Sequence, residues 1–566
     1  NNMIAEGGNI VAYAGQYRPQ AYTLSAGVNY RVTGFSFDFI AHKEKVGVVV
    51  SAGGQTKRST LTSQSIKVGG LEGMSASFTL DAVNNGIVLS NFKVTLSPAI
   101  EEPEPQVNIF ETKSGVPYRI PAIATAHNGD IIAVADYRHS GADIGMVNNG
   151  RIDLRARISK DNGKTWGNIF PIVEGKGASS PDFMNVGFGD PCIVADRESD
   201  RVLVMSCAGN VSFPNGKRNH HQCIARFYSD NNGKTWSKPV DISESIYSQF
   251  DNSKIGACNA MFIGSGRIFQ SSTVKVDQYY RIYCSVLYKD VNGVNKNYVL
   301  FSDNFGDTWG VLGGVDVAPI PSGADEPKVE ELPDGSILVS SRAYGGRNYN
   351  IFNFTDSKAA TGSWGSMAYS GSGNKGVVAT GNSTNGEVLI LPVRRASDNK
   401  PVYLALQSVP FGSGRANVGI YYKELASLSD FVDASAFAKN WPGKHQASRM
   451  FSAYSTMTLQ KDSTIGFLYE EETFGKAYTI VYKNYSVEYI TDSLYTYDPT
   501  VVPSDVVPAG IDSKYKLVKT YFGKAVGNID ASSSASADVE AAYNAYKADP
   551  TKDNYDCLLY TSPSPR

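Results

Sequence analysis

The sequence predicts an all-β protein in which a small β-sandwich precedes a six-bladed β-propeller. Three observations carry that expectation. Apolar and polar residues alternate repeatedly through residues 1–100, an eight-residue pattern recurs three times beyond them, and six strand-turn-strand units can be laid along residues 117–471. The 33 Tyr, 25 Phe and 54 Gly of the 566-residue chain suit many short strands joined by tight turns.

The sandwich rests on three alternating sets: Phe35, Phe37 and Phe39; Met74, Ala76, Phe78 and Leu80; and Phe92, Val94 and Leu96. Each is interleaved with polar residues, as expected of strands with one buried face. The acidic, proline-rich run from Glu101 to Pro105 predicts a stiff, solvated linker over 101–106. The propeller is expected over 107–491 and a partly helical segment over 492–556. There Val539, Ala542, Tyr543 and Tyr546 make one helical stripe ending before Pro550, the only convincing helix in the sequence. Residues 557–566, from Cys557 to Arg566, lack periodicity and read as a non-native tail.

The eight-residue pattern runs from Ser159 to Trp166, Ser229 to Trp236 and Ser302 to Trp309. Its chemistry suits a hairpin corner. Asp161, Asn231 or Asn304 can bond turn amides, the following Gly tolerates positive φ, and Trp packs beneath the turn. Phe354 to Trp364 is a degenerate fourth copy with irregular spacing. These positions are structural, and repeats of one β-unit point to propeller blades.

The six units run from Arg119 to Arg138, Asp190 to Cys207, Asn259 to about Thr273, Glu326 to Arg342, about Asn374 to Arg395 around Asn385-Gly386, and Tyr454 to Glu470. In a hairpin, the first residue of one strand lies opposite the last residue of the next, away from the turn. Arg119, Arg138, Asp190, Glu326, Arg342, Tyr454 and Glu470 occupy such open ends. Blades around an axis gather them at one mouth, with the Ser-to-Trp corners at the opposite face.

Composition excludes several function classes. A chain this long splits into two or three domains. Its 53 basic and 55 acidic residues give no global field to gather nucleic acid or an anionic membrane. No apolar run is long enough for a membrane-spanning helix. The start at Asn1-Asn2 lacks a signal-like segment, which fits a cytosolic protein or one numbered after signal removal. Cys192, Cys207, Cys223, Cys258, Cys284 and Cys557 lack metal-ligand spacing and are expected to be free thiols. His220 and His221 are read as an ordinary loop pair rather than metal ligands.

Three arginines at one mouth repel one another unless they bind an anion, and guanidinium forks match a carboxylate. Arg119 and Arg342 qualify directly. Arg415 precedes the apolar run Val418 to Tyr422 and returns to the same mouth, where Glu470 can orient one arginine. Any one of them alone would be read as a surface ion pair. Their shared hairpin position favours the clamp.

At these residues a resemblance becomes explicit. Tyr118-Arg119-Ile120-Pro121 resembles the arginine motif of bacterial and trypanosomal sialidases, and the Ser-to-Trp repeats resemble that glycoside hydrolase family's Asp boxes. The match spans about residues 107–491 and lies in the ordered combination with Glu326-Pro327, two later arginines, and Tyr454 followed by Glu470. The resemblance implies an exo-α-sialidase with Arg119, Arg342 and Arg415 clamping the substrate carboxylate and Glu470 fixing Arg119. It implies Tyr454 as nucleophile, Glu326 as its base and Asp143 as acid/base, with Arg138 and Asp190 near the sugar O4. Asp143 is preferred over Asp136 because a loop carboxylate can lean over the sugar and stay partly desolvated, whereas Asp136 lies within the strand next to Arg138 and is expected to pair structurally.

The expected reaction removes terminal sialic acid from glycoproteins, glycolipids and oligosaccharides with retention. A phenol suits it because the substrate carries a carboxylate on its anomeric carbon, which repels a carboxylate nucleophile. No metal or organic cofactor is called for. The rivals are a trans-sialidase and a non-catalytic sialic-acid-binding propeller. A secreted, periplasmic or cell-surface bacterial monomer is expected, with a sialylated glycan as partner. The N-terminal domain is either a carbohydrate-binding or a packing module, with Tyr13, Tyr17 and Tyr22 as candidate contacts.

Overall fold

The computed structural model describes the strands and some turns between residues 3 and 98, then residues 106–507 apart from 113–114, 382 and 473–477. The chain divides into two compact units, Asn1–Pro103 and Glu104–Arg566. Outside the described residues lie Tyr13, Tyr17, Met74, linker residues 101–105, the helical stripe around 539–546 and the tail 557–566.

The first unit contains two antiparallel sheets, one of five strands and one of four. In the larger sheet Tyr30–Ala41 pairs with Ile87–Pro98 on one side and Ser63–Gly69 on the other. Phe35, Phe37 and Phe39 are buried with Val32, Val50, Ile66 and Leu89. The period-2 pattern read from the sequence thus puts one aromatic face inward.

Among the described residues, the second unit contains six sheets in chain order. The first is Tyr118–Thr125, Ile131–Arg138, Ile152–Ser159 and Phe170–Val173, each paired antiparallel with the next. The second repeats this with Phe188–Ala195, Val202–Ala208, Cys223–Ser229 and Val240–Asp241. The fourth uses Pro327–Glu331, Ile337–Ala343, Gly346–Asp356 and Thr361–Trp364. The sixth takes Ser452–Leu459, Ile465–Glu471 and Thr479–Tyr485, and its outer strand is Val107–Phe110 from the start of the unit.

Apolar packing runs from each of the first four sheets to the next and from the sixth back to the first. Ile132 and Val134 meet Val202 and Val204 between the first and second. Met205 and Ile224 meet Met261 and Ile282 between the second and third. Val299 meets Ile337 and Phe352, and Leu338 and Tyr349 meet Val388 and Val409. Ile109 and Leu468 meet Ile131 and Ala133, joining the sixth sheet to the first. The fifth and sixth are bridged by Ser408 and Ser455 hydroxyls 2.8 Å apart. At about 1.5–3 kcal/mol per fully buried aliphatic or aromatic side chain, these layers outweigh any single exposed ion pair.

All three Ser-to-Trp repeats sit at the corner from third to fourth strand. In the first, Ser159 Oγ accepts the Gly163 N–H at 2.8 Å, and Asp161 accepts both the N–H and hydroxyl of Thr165 at 2.8 and 2.5 Å. Asn231 and Asn304 keep the Oδ1 bond at 2.9 Å and donate Nδ2 to the Thr235 and Thr308 hydroxyls. Gly163 has φ +85°, and a Cβ there would sit 2.1 Å from the Tyr482 ring, so glycine is needed for both reasons. Asn162 donates to Asp462 in a first-hairpin turn, which puts corner and turn at the same end. Trp364 occupies the equivalent place in the fourth sheet and donates to Leu312 O at 2.9 Å.

Four expectations are corrected. The unit from Asn259 to Thr273 is not a hairpin: Ala260–Ile263 and Phe269–Val276 pair separately with Tyr279–Lys289. Gly264 and Gly266 interrupt it where the backbone closes on its neighbours; a Cβ would lie 2.5 Å from Pro327 O and 2.3 Å from Lys328 Nζ. The fifth hairpin joins Val388–Arg395 to Pro401–Gly412, turning near Asp398 and Asn399 rather than Asn385-Gly386. Asn385 is buried and donates to Ser265.

Short helices occur at Ser243–Tyr247, Ala434–Ala438 and Val487–Ile490, too short for periodicity to reveal. Finally, the β structure does not end at 491. Tyr495–Tyr497 pairs with Val388–Arg395, and Val501, Val506 and Val507 enter that core. Cys192, Cys207, Cys223, Cys258 and Cys284 are buried free thiols. No helix among the described residues is long and apolar enough to cross a membrane.

Candidate active site

The open ends of several first hairpins share a departure from regular pairing. Register shifts between Arg119 and Ala122, between Gly189 and Cys192, and between Ser452 and Ser455. Bulges re-aim side chains, and here they fall at Ile120, Asp190 and Tyr454. Ile120 and Asp190 have φ +53° and +55°, and Arg415 has +61°. Such conformations in non-glycine residues cost energy and persist where surroundings enforce them. Part of that enforcement is visible: Glu470 accepts the Ile120 N–H at 2.7 Å, and Asp136 accepts that of Asp190 at 3.2 Å.

Glu470, fully buried, is the hub of the sixth sheet's contribution. Its carboxylate takes Arg119 Nε at 2.7 Å and Nη2 at 3.3 Å, and the Tyr454 N–H at 3.3 Å. Burial opposes the Arg119 charge, but Glu470 more than offsets it and holds the guanidinium ionised. Arg342 donates Nη1 to Glu326 Oε2 at 2.9 Å, and its Nε lies 3.4 Å from Asp325. Arg415 sits in the turn before Ala416–Leu425, its guanidinium 5.5 Å from the Tyr454 ring, with no ion pair to any described residue.

Tyr454 donates its phenolic O–H to Glu326 Oε1 at 2.7 Å, and Arg342 Nη1 donates to the Tyr454 phenolic oxygen at 3.4 Å. Burial, reinforced by the Glu326 carboxylate, pushes the phenol well above its ordinary range. The resting group is therefore a neutral phenol already aimed at the Glu326 carboxylate.

Arg138 holds a third cluster. It grips Asp136 with Nε at 3.1 Å and Nη2 at 2.9 Å, meets Asp143 through Nη1, and lies 3.7 Å from Asp190. One guanidinium cannot neutralise three carboxylates. Burial first, then the neighbouring Asp136 and Asp143, raise Asp190 well above the carboxylate range despite Arg138. Burial likewise raises Asp136 against the pull of Arg138.

Arg119, Asp143, Asp190, Glu326, Arg342, Arg415 and Tyr454 all line one cavity of about 350 Å³. Phe213, Pro214, Phe262, Ile144 and Met146 supply its apolar side. Two expectations change here. Arg138 is not among the lining residues: it is 1% exposed, behind the wall and committed to carboxylates, so it meets the cavity through Asp143 and Asp190. Asp143 is not partly desolvated, since 68% of its side chain is exposed. Glu470 also stands behind the wall, acting through Arg119 and Tyr454.

Known relatives of this chain are sialidases. A sialidase of Paraclostridium sordellii is 26% identical over 417 residues, covering 71% of this chain and 92% of that protein. One from Clostridium perfringens is 24% identical over 397 residues, covering 65% and 91%. No family model matches. Among solved structures, the Hadza microbial sialidase Hz136 aligns with TM-score 0.52 at 15% identity, over 83% of this chain and 96% of its own. The intramolecular trans-sialidase from Ruminococcus gnavus aligns with TM-score 0.53 at 16% identity, over 68% and 98%. These relatives support a sialidase, and the structural likeness is to β-propellers.

Sequence reasoning missed Asp325, which flanks Arg342 and was legible only as an acidic neighbour of Glu326. It also missed the apolar wall. Phe213 and Pro214 lie on a short 3-10 turn without periodicity, so no pattern marked them. Among the described residues no cluster of potential metal ligands occurs. His221 Nδ1 instead meets Arg218 O at 2.8 Å, and His220 packs against Phe183.

Proposed function

We propose that the chain is a retaining exo-α-sialidase whose six sheets are the blades of a propeller, preceded by a β-sandwich domain. The observation that carries this reading is the Tyr454–Glu326 hydrogen bond inside a cavity lined by three arginines. A neutral phenol beside a base, facing a carboxylate-binding wall, suits a sugar whose anomeric carbon bears a carboxylate.

Arg119, Arg342 and Arg415 bind the substrate carboxylate, fixing the anomeric carbon against Tyr454. As the phenolic oxygen bonds to that carbon, its proton passes to Glu326 Oε1, and the bond to the leaving oxygen breaks while Asp143 protonates it. Asp143 then takes a proton from water, which attacks the tyrosyl-bound sugar. The carbon–phenol bond breaks, Glu326 returns the proton to Tyr454, and sialic acid leaves with retained configuration. Asp190 faces the sugar, and Arg138 orients Asp190 and Asp143 from behind. The exposure of Asp143 suits a group that must meet first the leaving aglycone and then water.

A fluorogenic sialoside tests the reading directly. The wild type should hydrolyse it, and Tyr454→Phe and Asp143→Ala should not. An inert wild type or fully active variants would defeat the proposal. Adding lactose distinguishes transfer to a sugar from transfer to water, and hydrolysis is expected to dominate. The protein is further proposed to act outside the cell as a monomer.

A further inference from the structure

Arg119 is held by more than Glu470. Its guanidinium carbon lies 4.2 Å from the centroid of the Tyr478 ring and 5.8 Å from that of Tyr454. Tyr478 packs against Ile120, Ala453 and Tyr454, so it belongs to the small apolar cluster behind the clamp. Its backbone is unusual for so large a residue, at φ +41°, a conformation that L side chains of this size adopt only when the surroundings impose it. One imposed contact is visible: the Thr112 hydroxyl donates to Tyr478 O at 2.7 Å. Strain of this kind gathers where function requires a fixed side chain.

The donors explain what the ring can do. Of the five guanidinium N–H groups of Arg119, Nε–H and one on Nη2 are directed at Glu470. The remainder lie along the other edge, and only that edge can meet a carboxylate in the cavity. Glu470 alone leaves the plane free to tip about the shared edge. A ring over the face opposes that tilt and attracts the cation. We propose that Tyr478 is a positioning residue for Arg119, keeping the donor edge of the guanidinium turned into the cavity to receive the substrate carboxylate. This inference rests on the sialidase reading for the identity of that carboxylate.

The structural alternative is that Tyr478 only packs the start of the strand Thr479–Tyr485, and stability measured beside affinity separates the two. Tyr478→Gly removes the ring and relieves the positive φ, Tyr478→Leu removes the ring but keeps the bulk, and Tyr478→Phe keeps the ring. For Gly and Leu, KM for a fluorogenic sialoside and Ki for free N-acetylneuraminate are expected to rise together by about five- to tenfold. Their kcat should stay within about twofold, since the clamp binds ground and transition states alike. Melting temperature is expected to hold or rise in Tyr478→Gly, and Tyr478→Phe is expected to retain wild-type KM and Ki.

Unchanged KM and Ki in both Gly and Leu variants, or a rise that Phe shares, would overturn the proposal. So would a rise tracked by a matching loss of thermal stability in Tyr478→Gly. If the wild type shows no turnover, the catalytic reading fails and calorimetric binding of N-acetylneuraminate takes its place. Weaker binding in Tyr478→Gly than in wild type then upholds the proposal, and equal or absent binding in both overturns it.

Discussion

Glu470 joins Arg119 to the backbone of Tyr454, accepting Nε of the arginine at 2.7 Å and the N–H of the tyrosine at 3.3 Å. One buried carboxylate therefore sets both the wall that carries Arg119 and the strand that carries Tyr454. Glu470→Gln keeps the shape but leaves Arg119 buried without its counter-charge. We expect a stability loss of about 3–5 kcal/mol, as for other buried pairs broken from one side, together with a raised KM. Chemical denaturation and steady-state kinetics of the same preparation check both.

Glu326 accepts the phenolic hydrogen bond of Tyr454 at 2.7 Å, and with Glu326 in the proposed role of base, Glu326→Gln should lower kcat by about 10²–10⁴-fold, the usual contribution of a positioned base. KM should change less, because the Gln side chain still occupies the place beside Arg342. A large KM effect with little change in kcat would assign Glu326 to binding instead.

Asp143 should matter in proportion to the aglycone. For Asp143→Ala, the glycosylation rate should fall by about 10²-fold or more on natural sialosides, whose leaving group needs a proton, and by much less on an activated aryl sialoside, whose steady-state turnover is still lost because the releasing water needs Asp143 as its base. Single-turnover release of the aryl group measures this. An equal loss on both substrates would remove Asp143 from the acid role.

Glu330 gives a pH signature unrelated to catalysis. Burial raises its carboxyl to about 7 although Arg267 opposes the shift. Its folded value lies above its unfolded one, so the folded state holds the proton more tightly between about 4.5 and 7. Glu330's contribution is fully present below that window and is lost as pH rises through it. Stability to urea should therefore fall from pH 4.5 towards 7, and Glu330→Gln should flatten that slope while lowering stability overall. An unchanged slope in the variant would exclude Glu330 as its source.

The corner repeats should contribute to stability without touching the chemistry. Asp161→Ala removes two hydrogen bonds to Thr165, and we expect a loss of about 1–3 kcal/mol. KM and kcat of the folded enzyme should stay the same.

Legibility from sequence followed how local each signal was. Hairpins whose strands flank a short turn were readable, as with Arg119 to Arg138 and Glu326 to Arg342. The third and fifth were misread because their inner strands are set by distant neighbours. Gly264 and Gly266 are shaped by Pro327 and Lys328, and Asn385 is buried against Ser265. Tyr495–Tyr497 joins the sheet of Val388–Arg395, a pairing that no local pattern announces. At the site, charged residue types at open ends could be read, but their depth could not. Arg138 was expected against the sugar, yet Asp136, two residues away on the same strand, holds it behind the wall. Asp143 was expected to be partly desolvated and is 68% exposed, because a loop's solvent access depends on its whole surroundings.

The proposed mechanism requires a covalent bond between Tyr454 and the sugar. A fluorinated sialosyl fluoride, which forms the intermediate quickly and releases it slowly, followed by peptide mass spectrometry, tests it most directly. One equivalent of fluorosialosyl adduct is expected on Tyr454 and none in Tyr454→Phe. An adduct on Glu326 or Asp143, or a trapped enzyme with Tyr454 unmodified, would contradict it.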